Sequence, residues 1–226
     1  REKAIFSMNS VSHQIDGIME IQASSVPGEY LVPPLLAKFR ERYPLVRFYV
    51  EQSDSGAVEG NIRAQKGEIG FMGHRPGNDL FGERLMTDRM VLIAPNNDKF
   101  QALAGKELQV RDIIDEAFIW REHGSATRRE FEEKIGTLGF KAKQINVVAR
   151  LNSMEAIKQA VGNGLGVSVI SKIAVGNNLD PRILTFKIRD MELAREFHIV
   201  WNKSVPLSPT ADAFKSFVLK EYRISE

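Results

Sequence analysis

Hydroxyl, amide and basic side chains recur where short apolar runs of this chain end and amphipathic segments begin. Such positions combine hydrogen-bonding side chains with the free backbone N–H groups of a helix start, and that combination binds anions. The residues concerned are Ser24 and Ser25 in a first segment, Arg121, His123, Ser125 and Thr127 in a second, and Asn152 in a third. The sequence therefore predicts a site for a small anion, with Arg121 or His123 as its charge partner.

The same residue types also have an ordinary structural explanation. Ser, Thr, Asp and Asn in front of a helix cap its first N–H groups and contribute about 1 kcal/mol each. The spacings Thr127-x-x-Glu130 and Asn152-x-x-Glu155 fit a capping box. Helix caps and ligand contacts are therefore both open as interpretations of these positions.

Catalytic and metal-binding chemistry find little support in the sequence. Neither His74 nor His123 has a partner at a ligand spacing such as H-E-x-x-H, and no Ser-His-Asp elbow motif occurs. The chain has no cysteine, which excludes thiolate nucleophiles, disulfides and Cys-ligated zinc. The glycine-rich stretch at 162–166 follows a predicted helix and precedes a strand, the reverse of the order that binds phosphate. We predict no catalytic residue, no metal, no cofactor and no enzymatic activity.

The composition is typical of a folded domain. The 226 residues are 43% hydrophobic and 27% charged, which excludes a disordered chain. No run approaches the roughly 20 apolar residues of a membrane helix and none reads as a signal peptide, so we expect no membrane contact and a cytoplasmic location. Lys and Arg number 31 against 29 Asp and Glu, a net charge of +2. Such a small excess of positive charge does not by itself predict a surface that binds nucleic acid.

Alternation of apolar runs and amphipathic segments predicts two successive α/β halves. For the first half it predicts strands at 17–22, 46–51 and 69–72 and helices at 33–43 and 57–66. For the second half it predicts strands at 117–120, 145–149 and 167–170 and helices at 108–114, 127–136 and 154–161. Such a succession implies parallel sheets with helices on their faces.

The two halves must be joined in both directions. Apolar strands at 90–94 and 197–201 are placed to carry the chain across and back, and a helix predicted at 210–222 docks on the first half. We therefore expect one subdomain to comprise residues 17–94 plus 202–226, and the other to comprise residues 95–201.

Ligands of open α/β sheets bind beyond the carboxyl ends of the strands. Ser24 and Ser25 of the first half should then face Gly124 and Ser125 of the second half across a cleft. Upstream of the first strand, residues 1–16 carry apolar side chains at spacings of three and four, and we interpret them as the end of a longer helix.

Several motifs, in order, resemble the effector-binding domain of LysR-type transcriptional regulators. They are GIMEIQASSVPGEYLVPPLLAKFRERYP from Gly17, VRFYVEQ from Val46, GEIGF from Gly67, GSATRREFE from Gly124 and SMEAIKQAVGNGLGVSVIS from Ser153. The resemblance covers most of the chain. It implies a fold similar to type 2 periplasmic binding proteins, in which two Rossmann-like α/β subdomains joined by two crossing strands hold a small effector in their cleft.

The resemblance also implies which residues touch that effector. In the family it contacts three segments, which here contain Ser24 and Ser25, Gly73 and His74, and residues 124–127. Many members have polar residues after the first serine or threonine, whereas this chain has Val26 and Pro27, and Pro27 has no N–H to donate. Members with a similar SSxPGEY start look related to regulators of sulfur or selenium metabolism, which suggests a small oxyanion, while the hydroxyls at facing helix starts also fit a carboxylate.

The partners implied by the resemblance are DNA and further copies of the chain. Such regulators carry an N-terminal winged helix-turn-helix and a linker helix, so residues 1–16 would be the tail of that linker and the DNA-reading domain is absent from this chain. We expect a homodimer or tetramer that uses the helices at 33–43 and 57–66. A transporter's solute-binding protein of the same fold is the alternative. Porphobilinogen-polymerising and arene-synthesising enzymes rank third, and the former need a cysteine.

Overall fold

The computed structural model describes residues 15–177 and 179–223. In chain order the strands are β1 (Gly17–Ser24), β2 (Val46–Ser53), β3 (Ile69–Met72), β4 (Leu80–Pro95), β5 (Ala117–Arg121), β6 (Asn146–Leu151), β7 (Ser168–Ser171), β8 (Ile183–Phe186) and β9 (Ala194–Asn202). The α-helices are α1 (Val32–Arg42), α2 (Ser55–Arg63), α3 (Asp98–Gln101), α4 (Ala126–Thr137), α5 (Met154–Gly162), α6 (Lys172–Val175) and α7 (Pro209–Arg223). A π-helical turn lies at Pro27–Leu31, and 3-10 turns lie at Val110–Asp112 and Ala142–Gln144.

The first half is built on a parallel sheet, as its alternating pattern predicts. Strand β1 pairs in parallel with both β2 and β3. Ile21 of β1 is buried in the same cluster as Phe39 of α1 and Phe214 of α7, and the two phenylalanine rings meet edge to face at 5.1 Å. The last helix thus packs on the first half, which supports our proposal that residues 17–94 and 202–226 form one subdomain.

The chain becomes helical directly after β1, at residue 25, although the sequence pattern places the helix start at residue 33. The first turns include the π-helical turn, in which the N–H of Val32 donates to the carbonyl of Pro27. Proline is tolerated there because the first N–H groups of a helix have no intrahelical acceptor. Ser24 and Ser25 therefore stand at the start of a helix rather than in a loop.

The second half repeats the architecture with a smaller sheet. Strands β5 and β6 are parallel, and an isolated parallel bridge links Phe118 to Val167 just before β7. Phe118 and Phe131 stack at 5.5 Å between β5 and α4, which buries the apolar face of that helix. The predicted strands and the helices α4 and α5 of this half are confirmed within one or two residues at most ends.

Strands β4 and β9 run antiparallel through both halves and join them. Their pairing extends from Leu80 opposite Asn202 to Arg89 opposite Ala194, with a β-bulge between Arg84 and Met86. Strands β7 and β8 then pair with the far end of β4. Two α/β subdomains joined by two crossing strands are thus confirmed. Strand β4 begins well before the predicted segment 90–94, because β9 satisfies the backbone of its polar first part.

The predicted helix at 108–114 is wrong. Only Val110–Asp112 is helical, as a single 3-10 turn. Leu108 is held in an extended bridge because its N–H donates to the carbonyl of Lys187 and its carbonyl accepts from the N–H of Arg189. This pairing with residues near β8 removes Leu108 from any helix and shortens the segment.

The predicted helical tail at residues 1–16 lies outside the described residues except for Ile15 and Asp16, which have no regular structure. Among the described residues, no helix is both long and apolar enough to cross a membrane. The same residues contain no group of three or more histidine or acidic side chains placed to hold a metal ion.

Candidate functional site

The carboxyl ends of β1 and β5 face each other and enclose a small polar cavity, which we call the central cavity. Its volume is about 10 Å³, close to what one water molecule requires. Its lining residues are Ser24, Ser25, Val26, Asp54, Ser55, Arg121, Glu122, Ser125, Ala126 and Arg195. Two cations and two carboxylates therefore face this cavity together with four serine hydroxyls.

Arg121 connects the two halves across the central cavity. Its side chain is only 4% exposed, and its Nη2 donates to Ser25 Oγ at 3.1 Å. The same guanidinium makes a two-point contact with Glu122, from Nε to Oε2 at 2.7 Å and from Nη2 to Oε1 at 2.6 Å. The carboxylate of Glu122 thus occupies the position that an anionic ligand would take on Arg121.

Arg195, at the start of β9, is the second cation of the central cavity. Its side chain is 7% exposed and its Nε lies 3.1 Å from Oδ2 of Asp88, which is fully buried. Ser171 donates to Oδ1 of Asp88 at 2.7 Å. Burial raises the pKa of Asp88, while the charge of Arg195 and the hydrogen bonds from Ser171 and Arg195 oppose that rise. Nη2 of Arg195 has no hydrogen-bond partner within residues 15–177 and 179–223, so one donor is available for a ligand.

Helix starts surround the same cavity. Ser125 caps α4 by accepting the N–H of Arg128 at 3.4 Å, and Asp54 caps α2 by accepting the N–H of Ala57 at 2.9 Å. The helical segment after β1 begins at Ser25. Three helix N-termini therefore point their partial positive charge at one place, which favours an anion there.

The two halves touch at the mouth of the central cavity. A side chain added to Gly124 would overlap the carboxylate of Asp54, so only glycine permits this approach. Gly73 also sits against the second half, since an added Cβ would lie 3.1 Å from both Ala126 Cβ and Arg195 Nη1. The N–H of Gly73 donates to Ser55 Oγ at 3.1 Å. These two glycines set how closely the halves meet.

The structure brings together some of the residues predicted from sequence and separates others. Ser24, Ser25, Arg121 and Ser125 line the central cavity. Thr127 is buried in the first turn of α4, and its hydroxyl lacks a hydrogen-bond partner among the described residues.

Other predicted residues lie outside the lining of the central cavity. His123 and Asn152 are exposed, and His74 pairs through Nε2 with Glu59 Oε2 at 2.9 Å. The two capping boxes inferred from spacing are corrected as well. Ser125 and Ser153 are the N-caps of α4 and α5, because each hydroxyl reaches the N–H three residues ahead, which shifts the start of each helix by one or two residues.

Sequence reasoning missed Arg195 as a lining residue. It pointed to the strand ends that carry Asp54, Ser55 and Glu122 but assigned no ligand contact to these three residues, which also line the cavity. Arg195 lies in the segment ELAREF, which also contains Glu192 and Glu196, and such a charged segment is typical of a solvent-exposed strand start. One signal was available: residues of a strand alternate between its faces, so Arg195 shares a face with Phe197, over whose ring it lies at 4.8 Å. A buried Phe197 therefore indicates an inward-facing Arg195.

Comparisons with known proteins agree on one family. Residues 12–223 match the family model described as the LysR substrate binding domain. The chain is 30% identical over 225 residues to the HTH-type transcriptional regulator CysL of Bacillus subtilis, covering 98% of this chain and 73% of CysL.

Solved structures give the same fold. The regulatory domain of CcmR from Synechocystis PCC6803, in complex with 2-PG, superposes with a TM-score of 0.82 at 23% identity, over 92% of this chain and 98% of that one. The effector binding domain of QuiR in complex with shikimate superposes with the same TM-score at 16% identity, over the same shares of the two chains.

Proposed function

This chain belongs to the LysR family of transcriptional regulators, whose substrate-binding domain it matches over residues 12–223, and we propose that it senses a small anion in the central cavity. Ligand binding there would be transmitted to promoter DNA through an N-terminal DNA-binding segment of the full regulator. Such a protein works in the cytoplasm as a homo-oligomer. CysL, which is similar over nearly the whole of this chain, is a transcriptional regulator, and this favours the proposed function over a transporter's solute-binding protein and over an enzyme.

One observation carries the proposal. Two arginines with buried side chains, Arg121 and Arg195, converge on one cavity among serine hydroxyls and helix N-termini, and Nη2 of Arg195 has no hydrogen-bond partner among the described residues. A hydrogen bond to a charged group contributes about 1.5–3 kcal/mol, so a few such contacts suffice for a small ligand. The small volume favours a compact oxyanion or carboxylate as the charged group.

The decisive test separates ligand binding from helix capping. Ser125 and Ser153 cap neighbouring helices in the same way, with N–H to Oγ distances of 3.4 and 3.3 Å, but only Ser125 lines the central cavity. Isothermal titration with sulfate, acetate, 2-PG and shikimate identifies a ligand for the unaltered protein. Ser125→Ala and Ser153→Ala should each lose about 1 kcal/mol of stability.

Of these two variants, only Ser125→Ala should also lower the affinity for the ligand, by about 10- to 100-fold. Ser25→Ala should weaken it to a similar extent, because it removes the hydroxyl that holds Arg121. If Ser125→Ala and Ser25→Ala bind every anion as tightly as Ser153→Ala does, the hydroxyls serve only as caps and the proposal is wrong.

Oligomerisation of this domain is part of the same proposal. The helices α1 and α2 remain our candidates for contacts between copies. Light scattering at tens of micromolar should return the mass of a dimer or a tetramer, and a strictly monomeric mass would exclude an interface formed by this domain alone.

A further inference from the structure

A second cavity lies on the opposite face of β9 from the central cavity. Because strand residues alternate between faces, Arg195 and Phe197 point one way while Glu196 and His198 point the other. The second cavity is lined by Glu196 and His198 together with cationic residues from β4, from the loop before β4 and from the loop after β9. Its volume is about 370 Å³, within the range of about 300–1,000 Å³ typical of small-molecule sites.

The walls of the second cavity are held in place by close packing. A Cβ at Gly82 of β4 would overlap the ring of Pro76, so glycine at this position lets the segment after β3 lie against the strand. Lys203 donates to the carbonyl of Asn78 at 2.6 Å and its ammonium lies 5.2 Å from the centre of the Phe81 ring. The loops on both sides are therefore tied to the crossing strands.

Positive charge is concentrated in this cavity. Arg75, Arg84 and Lys203 line it, and Glu196 is its only carboxylate among the described residues. Glu196 accepts from Arg84, with Nε to Oε1 at 3.1 Å. The cavity thus carries a charge excess as large as the net charge of +2 of the whole chain, and an anion is the ligand that this field attracts.

His198 adds a buried titratable group at the same place. Its side chain is 6% exposed, with Nε2 at 3.5 Å from Glu196 Oε2, and Nδ1 has no hydrogen-bond partner in the part of the chain that the structure describes. Burial lowers the pKa of His198, Arg75 and Arg84 lower it further, and Glu196 raises it. His74 also lies near enough for the two rings to interact electrostatically.

We propose that the second cavity binds a small molecule bearing a doubly charged anionic group, such as a phosphate, between Arg75, Arg84, Lys203 and the ring of His198. A dianion would neutralise the charge excess and would supply the opposite charge that favours the protonated imidazole. The site lies at the β-bulge between Arg84 and Met86, on the strands that join the two subdomains. It shares β9 with the central cavity but none of that cavity's lining residues.

The test uses inorganic phosphate as the probe and the imidazole signals of the four histidines as the readout. Phosphate titrated into the unaltered protein should shift the His198 signals until the shift saturates, and it should raise the pKa of His198. The double variant Arg75→Ala/Lys203→Ala should weaken this binding by at least tenfold. Arg182→Ala, which removes a similarly exposed arginine paired with Asp180, should leave it unchanged.

The central-cavity variant Ser25→Ala separates the two sites. If it leaves phosphate binding at His198 unchanged while the double variant loses it, the second site stands whatever the outcome for the central cavity. If phosphate binding is lost in Ser25→Ala and kept in the double variant, phosphate occupies the central cavity, which supports the proposed function and overturns this inference. Absence of any shift at His198 also overturns it.

Discussion

The central and second cavities lie on opposite faces of one strand and both contain arginines, yet they differ in how many of their positive charges are paired with acids. In the central cavity each arginine has a buried or half-buried acid of its own, Glu122 for Arg121 and Asp88 for Arg195. In the second cavity Arg75 and Lys203 are exposed and outnumber the acids. Desolvation explains the difference, because an enclosed charge requires a partner, whereas water screens an excess at an open surface.

The contrast has a functional consequence. A ligand of the central cavity must replace an internal carboxylate, so it is selected by fit and by the hydrogen bonds it offers. A ligand of the second cavity is attracted by unbalanced charge and enters without displacing a buried partner. We therefore expect selective binding on one face of β9 and charge-driven binding on the other.

The largest expected effect tests the enclosed pair. Asp88→Ala leaves the charge of Arg195 buried and unpaired and should lower the free energy of unfolding by about 3–5 kcal/mol. The matched variant on the other face is Glu196→Ala, whose side chain is 49% exposed and whose loss should cost less than about 1 kcal/mol. Urea denaturation of both variants measures the difference in unfolding free energy. Equal losses of stability would contradict the proposed difference between the two cavities.

A smaller effect tests the internal competitor. Glu122→Gln removes the carboxylate that occupies Arg121, so an anion should bind the central cavity about tenfold tighter, equivalent to about 1.4 kcal/mol. Calorimetry with the ligand identified for the unaltered protein measures the change. Glu132→Gln, which removes the acid paired with Arg128, serves as the control and should leave affinity unchanged. Unchanged or weaker binding in Glu122→Gln would show that Glu122 does not compete with the ligand.

The smallest effect concerns pH and the second cavity, since no histidine of residues 15–177 and 179–223 lines the central one. Burial lowers the pKa of both His74 and His198. Below about pH 6.5, the usual pKa of histidine, the unfolded chain therefore binds more protons than the folded one, and the free energy of unfolding falls as the pH decreases. Above that pH this contribution is constant.

His198→Gln should flatten part of the pH dependence, because it removes one of these two buried rings. Urea titrations between about pH 5 and 8 measure the slopes. An unaltered slope in His198→Gln would mean that this ring does not titrate differently in the folded and unfolded states.

Periodicity in the sequence predicts most of the fold because the elements around the core have clear apolar faces. The strands of the first half and the helices α4 and α5 follow such faces. The first part of β4 escapes prediction because Glu83, Arg84, Thr87 and Asp88 break the alternation, and only pairing with β9 makes it a strand. Likewise, Leu108 satisfies a helical spacing but bonds to residues far along the chain.

The residues of the candidate site also fall into two groups, those that the local sequence predicts and those that it does not. Ser25, Arg121 and Ser125 could be inferred because they follow strands in the order that a parallel sheet requires. For Arg195 the local sequence offers only the two-residue spacing to Phe197, and its burial as a charge depends on Asp88, which lies on another strand and is itself an unexpected buried acid. Paired buried charges are decided by tertiary contacts, and local patterns do not record them.

The close contact between Gly124 and Asp54 also has a consequence for the rate of ligand binding. Because the central cavity has room for about one water molecule, we expect a larger molecule to reach Arg121 only after these two segments have moved apart, so that motion of the protein would limit ligand entry. Its association rate constant should then lie below the range of about 10⁵–10⁷ M⁻¹s⁻¹ found for protein partners that meet without such a step, and the observed rate should level off at high ligand concentration. Binding of such a ligand would then be limited by the rate at which Gly124 separates from Asp54, whatever the ligand concentration.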